Sequence, residues 1–404
     1  MTVTSHDTGP GAGPGAGKAR SSLLYDPKVR ALFFQGLVLV SVVVIGWIII
    51  QNTVTNMAAA GLASGFGFLE TTAGFGVTWT LIPYSEESSY GYAFVVALLN
   101  TLLVSAIGIV LTTLLGFFIG IMRLSKNWLV ARMAWVYIET LRNIPLLLQI
   151  FFWYFAVLRN LPSPRDSFVI PFGLGVINIR GLYLPSPTME PGFSLIPIGF
   201  VLGLIGAYGL RRWSKRRQAR TGQQFPDVLA GLGLIIGLPV LAALAAGVPF
   251  TWSYPELRGF NFVGGFSVIP EFVALLLALT LYTAAFIAEI VRAGIQAVSH
   301  GQTEAAHSLG LSHSKTLRLV VVPQALRVIV PPLISQYLNL FKNSSLAAAI
   351  AYPELMLIFG GVVLNQTGQA IEVLAIVMAV YLTISLLISL VMNIYNRSIM
   401  LVER

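Results

Sequence analysis

Three of the four histidines, His300, His307 and His313, lie together in one polar stretch of the sequence. Their spacings of seven and six, with Glu304 the one acid among them, do not match a metal-ligand pattern, and a solvated surface accounts for them. There is no cysteine, which removes disulfides, thiolate metal sites and cysteine nucleophiles. Gly17-Lys18 invites a phosphate-loop reading that fails: Ala12 stands where the first glycine belongs, Ala19 follows the lysine and no strand precedes it. Neither an HExxH helix nor a serine elbow occurs. What remains is a pattern without catalysis: Glu304-Ala305-Ala306, three residues, Gly310, nine residues, then Val320-Val321-Val322-Pro323. A helix-forming run, a helix-stopping glycine and an amphipathic run ending at proline predict two short helices meeting at a sharp corner. That corner lies in Glu289–Pro332, the longest polar interruption of the C-terminal half, and has the character of a docking surface.

The elements that must hold this corner are membrane spans. The chain of 404 residues is 56% hydrophobic and 10% charged, with mean hydropathy +0.80, whereas a soluble domain carries about 25% charged residues. The apolar runs are continuous and show no period of two, so the bilayer is crossed by helices and not by barrel strands. The net charge of +9 comes from basic residues clustered between the runs. This is the loop bias that fixes membrane topology, and it argues against a nucleic-acid partner.

The expected spans are Ala31–Ile50, Tyr92–Met122, Ala134–Leu158, Leu195–Leu210, Val228–Val248, Pro270–Ile290, one opening at Ile329–Leu340, and Ile371–Ile394. Residues 1–30 form a flexible tail whose GPGAGPGAG tract ends in Lys18 and Arg20. The first span is read as a retained anchor, although the Met57–Ala60 patch also suits a cleavage site. Residues 51–90, with acids and no Lys or Arg, read as extracytoplasmic, and 159–193 and 249–269 as external loops. RRWSKRRQAR at 211–220, with six positive charges and no acid, reads as a cytoplasmic loop. Pro145 inside the third run is tolerable if neighbouring helices satisfy the carbonyl it frees. The seventh run is interrupted by Lys342-Asn343-Ser344-Ser345, and Leu346–Leu364, with Pro353 and Glu354, reads as an embedded or re-entrant segment. Eight spans with both termini in the cytoplasm satisfy every loop-charge preference.

Ionisable groups in or beside the spans are costly and mark possible substrate contacts: Glu139, Arg142, Glu289, Arg292 and Lys342. YIETLRNIP and FIAEIVRAG each place Glu and Arg three apart on one helix face, as a structural ion pair or a substrate contact. Asn343, Ser344 and Ser345 suit either a broken helix binding a zwitterion through its backbone or a buried break tied by side-chain hydrogen bonds.

The Glu304-Ala305-Ala306…Gly310…Val322-Pro323 pattern resembles the EAA loop of ABC-importer membrane subunits. AEIVRAGI at 288–295, GQTEAA at 301–306, PQALRVIVPPL at 323–333, KNSSL at 342–346, NTLL at 100–103 and LRNIPLLLQIF at 141–151 resemble the polar amino-acid uptake branch. The long form is similar to the Q-type permeases of general L-amino-acid uptake systems of Gram-negative bacteria. Val322 in place of leucine and Asn143 before the Pro145 turn are mild departures.

The resemblance implies an all-α polytopic fold, the MetI-like transmembrane domain of type I ABC importers, with an extra N-terminal span and a two-span insertion. Residues 31–91 would be the first span and its periplasmic segment, 92–158 the first part of the core, 159–265 the insertion and 266–404 the core with the coupling loop. It implies a non-catalytic inner-membrane subunit that moves L-amino acids inward and binds no cofactor itself, with ATP and Mg used by the partner. The partners would be two ABC ATPase subunits, a second and distinct permease, a periplasmic amino-acid-binding protein and membrane lipid. Glu304 would give a charged contact or cap at the helix start, Ala305 and Ala306 close approach to the ATPase, and Gly310 the corner closed at Pro323. The competing class is a self-sufficient ion-coupled secondary transporter, which has no reason to display such a loop.

Overall fold

The computed structural model describes residues 27–59 and 65–399. Lys18, Arg20, Ala60 and Arg404 lie outside the described residues. Helix α1 (Pro27–Ala59) forms a compact unit of its own, and its apolar side chains are exposed along its length, as a lipid-facing span requires.

In the second unit, α2 (Tyr90–Arg123) packs along α7 (Pro270–Gln296). The cause is a row of small residues: Gly108, Thr112, Gly116 and Gly120 recur every four positions and are all buried. A Cβ on Gly120 would lie 2.8 Å from the Ala288 carbonyl oxygen, and one on Gly116 2.6 Å from the Ile287 Cβ. In lipid, where apolar burial drives little association, such close backbone approach supplies the packing. Gly120→Val is therefore expected to destabilise the chain by about 1–3 kcal/mol. An unchanged unfolding temperature in detergent would contradict this account of the α2–α7 seam.

The third expected span is not straight. Helix α3 (Trp128–Asn143) and the helical segment that begins with α4 (Leu146–Phe151) and runs on to Asn160 are bent by 105°. Proline bars its predecessor from helical geometry, and Ile144 is extended (φ −95°, ψ 127°). The freed carbonyls are served not by a neighbouring helix but by Gln149, whose amide donates to Leu141 O (2.9 Å) and Ile144 O (3.0 Å). Seven described helices are long and apolar enough to cross a bilayer, and the bent pair makes an eighth.

The loops on either side of the inserted helices contain strands that were not expected. Strands β1 (Phe168–Ile170), β2 (Gly175–Asn178) and β3 (Gly181–Leu184) form an antiparallel sheet, and β4 (Ser186–Met189) follows. Beyond the helical hairpin of the insertion come β5 (Phe250–Ser253), β6 (Glu256–Arg258), β7 (Asn261–Val263) and β8 (Phe266–Val268). Because β3 pairs with β8 and β4 with β5, the two loops are stitched together on one side of the helical hairpin between them. At three or four residues each, these strands are too short to display a period of two.

That hairpin is α5 (Leu195–Thr221) and α6 (Asp227–Ala245). The RRWSKRRQAR segment is not a loop: it extends α5 as continuous helix until Gly222, at φ +71°, ends it. Trp213 meets Phe225 edge to face, and Arg217 lies over Trp213 while donating to Gln223, so the corner is fixed by side chains.

After α7 come α8 (His300–Ser308), α9 (His313–Thr316) and α10 (Val322–Asn343). The second helix was expected to end at Pro323. Instead a π-helical turn, Leu317–Val321, carries it into α10, with Pro323 in the first turn. Proline is accommodated where its missing N–H is not needed. Beyond α10 a tight turn Ser344–Ile350 and a break at Ala351–Pro353 lead to Met356–Thr367, which ends in α11 (Leu364–Thr367). This short apolar helix is not among the candidate spans, in keeping with an embedded segment, and α12 (Ala370–Ile399) crosses last.

Candidate functional site

The polar corner is a helix–turn–helix built on Gly310. Its φ of +76° places it in the left-handed region. Gly310 N–H donates to His307 O (2.9 Å) and Leu311 N–H to Ala306 O (3.1 Å), the paired bonds of a Schellman stop. Leu309, just before the turn, is 82% exposed. A large aliphatic side chain displayed at a polar corner suits a surface that another protein covers.

Glu304 is not at the helix start. α8 begins at His300 after Ser299, so Glu304 lies past its first turn and the helix dipole does not account for it. Its side chain is exposed, as is Ala305, whereas Ala306 is buried within the chain. The small-residue surface open to a partner is thus Ala305, and Ala306 serves internal packing. Gln302 and Gln324 join α8 to α10 through a hydrogen bond of 3.1 Å. His300 and His313 line a cleft of ≈ 390 Å³ with Thr303 and Leu317, between the end of α7 and the corner.

The two Glu–Arg echoes differ. Glu289 and Arg292 form a two-bonded ion pair, Nε to Oε2 at 2.9 Å and Nη2 to Oε1, and Arg292 also donates to Gln296. Glu139 and Arg142 do not pair: both are exposed and Arg142 lies over the Phe286 ring at 5.2 Å. The packing of α3 on α7 accounts for this, since it sets Arg142 over a ring of α7. Arg142 and Arg123 also act electrostatically on Glu289, so four charged groups from three helices gather at one end of α7.

A second polar centre surrounds the break after α10. Ser344 is buried and its hydroxyl donates to Phe341 O, while Ser345 donates to Lys342 O, both at 2.7 Å. These serines tie the break internally, the second of the alternatives open at Asn343–Ser345. Lys342 is exposed and, with Ser345, Met356, Val377, Met378 and Tyr381, lines a recess of ≈ 330 Å³. Asn343 is half-buried beside it.

Sequence reasoning missed what holds the break. The Asn100 amide donates to Trp79 O (3.1 Å) and Pro353 O (2.9 Å), Tyr352 donates its hydroxyl to Asn100 O (3.0 Å), and Leu355 N–H donates to Thr101 Oγ1 (3.0 Å). Glu354, wholly buried, accepts from the N–H groups of Met356 and Leu357 and from the Tyr381 hydroxyl. It caps the embedded helix, whose opening N–H groups have no helical partner. The available signals were a Pro-Glu pair inside an apolar run and the Asn-Thr of NTLL.

Residues 112–400, which contain the corner, the break and most of the small-residue row of the α2–α7 seam, match the model of the binding-protein-dependent transport system inner membrane component family. The chain belongs to this family. It is thus a multi-pass inner-membrane component, and its relatives match it over nearly its whole length. The protein YhdX of Escherichia coli is 57% identical over 380 residues, covering 94% of this chain and 96% of its own. The general L-amino acid transport system permease protein AapQ of Rhizobium johnstonii is 50% identical over 404 residues, covering all of both chains. The glutamate/glutamine/aspartate/asparagine transport system permease protein BztB of Rhodobacter capsulatus is 44% identical over 422 aligned residues, covering 97% and 98%. The long form, with its extra first helix and inserted hairpin, is therefore common to these relatives. In this inner-membrane component the corner displays an exposed leucine, Leu309, among exposed polar residues.

Proposed function

We propose that this permease is the translocation subunit of an importer that moves L-amino acids of broad polar range inward, driven by ATP that a partner hydrolyses. The single observation that carries the reading is the Gly310 corner, which presents Glu304, Ala305 and Leu309 outward on a short helix fixed at its end. Two ABC ATPase subunits would receive it, using ATP and Mg, and this chain would bind no cofactor. A second, distinct permease would complete the pathway and a periplasmic binding protein would deliver the amino acid. Both termini would then lie in the cytoplasm with the corner and the 211–220 basic helix, as the positive-inside bias favours. The names of AapQ and BztB support the substrate class.

Within the pathway, the recess beside the break offers the Lys342 cation to an amino-acid carboxylate, with Met356 and Met378 as adaptable walls. Glu289, Arg292 and Arg142 form a separate charged gathering that holds helix ends together.

The test is purification of the tagged chain from its native membrane with its partners, and the same with Glu304→Lys. The wild type should bring down an ABC ATPase, and the variant should insert at equal abundance but lose ATP-dependent uptake by tenfold or more. Recovery of the chain alone, with uptake driven by an ion gradient, would return the ion-coupled class to first place.

A further inference from the structure

The inserted hairpin carries a charged surface that the translocation reading does not use. One side of α5, through Gly199, Gly203 and Ser214, is buried; a Cβ on Gly203 would meet the Leu234 carbonyl of α6 at 2.7 Å. Leu204, Tyr208, Arg211 and Lys215 follow one another at steps of four, three and four, with Ile205 and Arg212 beside them. At 100° per residue this row lies roughly 120° round the helix from the α6-facing side. All six side chains are exposed. The row is apolar at one end and cationic at the other, with a tyrosine at the join. Tyr208, Arg211, Arg212 and Lys215 line a common surface cleft.

Arg217 is occupied by Trp213 and Gln223, but Arg211, Arg212 and Lys215 have no acidic partner among the described residues. Three unpaired cations on one face attract an anion with a concentrated charge. The apolar residues running directly from them into the span require that the anion also carry hydrocarbon. A soluble phosphate compound would satisfy the first condition only. An interfacial tyrosine beside basic side chains is the composition found where a helix leaves the hydrocarbon for the headgroups.

We propose that this face is a binding site for an anionic phospholipid: Arg211, Arg212 and Lys215 hold the phosphate headgroup, Tyr208 lies at its base, and the acyl chains lie along Leu204 and Ile205. The hairpin is then a lipid-anchored flank of the transporter, its far end stitched by β-strands and its near end pinned to headgroups. A basic residue near an anionic surface contributes about 1 kcal/mol, so removing three predicts a loss of roughly a hundredfold in affinity.

The experiment uses the purified full chain in nanodiscs of mixed phosphatidylglycerol and phosphatidylcholine, with retained lipid counted by native mass spectrometry. The wild type should retain phosphatidylglycerol at least tenfold over phosphatidylcholine, and millimolar inorganic phosphate should not displace it. R211Q/R212Q/K215Q should lose the preference, and R211K/R212K, which keeps the charge, should largely preserve it. Equal retention of the two lipids by the wild type overturns the proposal whether or not the triple variant inserts. So does displacement by phosphate, or an unchanged preference in the triple variant.

Discussion

Gly310→Val should reduce ATP-driven amino-acid uptake by more than tenfold while leaving the amount of protein in the membrane within about twofold of wild type. Apart from its chain neighbours, no heavy atom lies within 4 Å of where a Cβ at this position would sit, so the substitution meets no packed group. Its effect comes from the backbone. At φ +76° a β-branched residue is strongly disfavoured, and the chain must give up the two bonds from Gly310 N–H and Leu311 N–H that end α8. The corner then opens, and Leu309 and Glu304 change direction relative to α10. Gly310→Asn separates this from a general intolerance of side chains, because asparagine enters the left-handed region at little cost. It should retain most of the uptake. If valine and asparagine behaved alike, in either direction, left-handed geometry would not be what the corner requires. Exposed on a short helix, the site contributes little to global stability, which is why abundance should hold.

The corner was legible in the sequence because its cause is local. Gly310 is a glycine after a helix-forming run, and no distant residue is needed to turn it. The spans were legible for the same reason, since continuous apolar length is a property of consecutive residues. What failed was in part local and in part set by partners far along the chain. Pro145 was expected to lean on other helices, yet Gln149, four residues away, serves the break. The Glu139–Arg142 spacing permits a pair, but the packing of α3 on α7 sets Arg142 over Phe286, more than a hundred residues away. Glu304 was assigned to a helix start from its place in a motif, whereas Ser299 marks where the helix opens. The strands joining residues 168–189 to 250–268 pair across the whole hairpin, and no local periodicity announces them. The basic segment was read by its charge as a loop, although arginine, lysine and glutamine are good helix formers and nothing before Gly222 stops them.

Asn100→Leu should be the most damaging single change in the core, although leucine is close in size and α2 is a lipid-embedded helix. Hydrogen bonds between helices in membranes average about 0.6 kcal/mol, because a polar group finds other partners when one is removed. Asn100 is a different case. Its two donors serve Trp79 O and Pro353 O, carbonyls outside any helix, where the chain breaks and no ladder can take over. Two carbonyls on one side of the amide also fix its orientation, since the reversed amide would set oxygen against oxygen. Leaving both unpaired and buried costs roughly 2–6 kcal/mol. The loss should spread, because Trp79, Phe272 and Tyr352 form one aromatic cluster with ring centroids 5.5–6.3 Å apart. Tyr352→Phe is the internal standard. It removes only the bond to Asn100 O, a carbonyl that α2 itself can serve, and should cost about 1 kcal/mol or less. The unfolding midpoint in detergent should therefore fall by roughly 4–10 °C for Asn100→Leu and by about 2 °C or less for Tyr352→Phe. Equal shifts would mean that the break is held by packing, with Glu354 capping its helix independently of Asn100. The expected inequality places the tie between α2 and the embedded segment at Asn100, where one amide holds the carbonyls of Trp79 and Pro353 together.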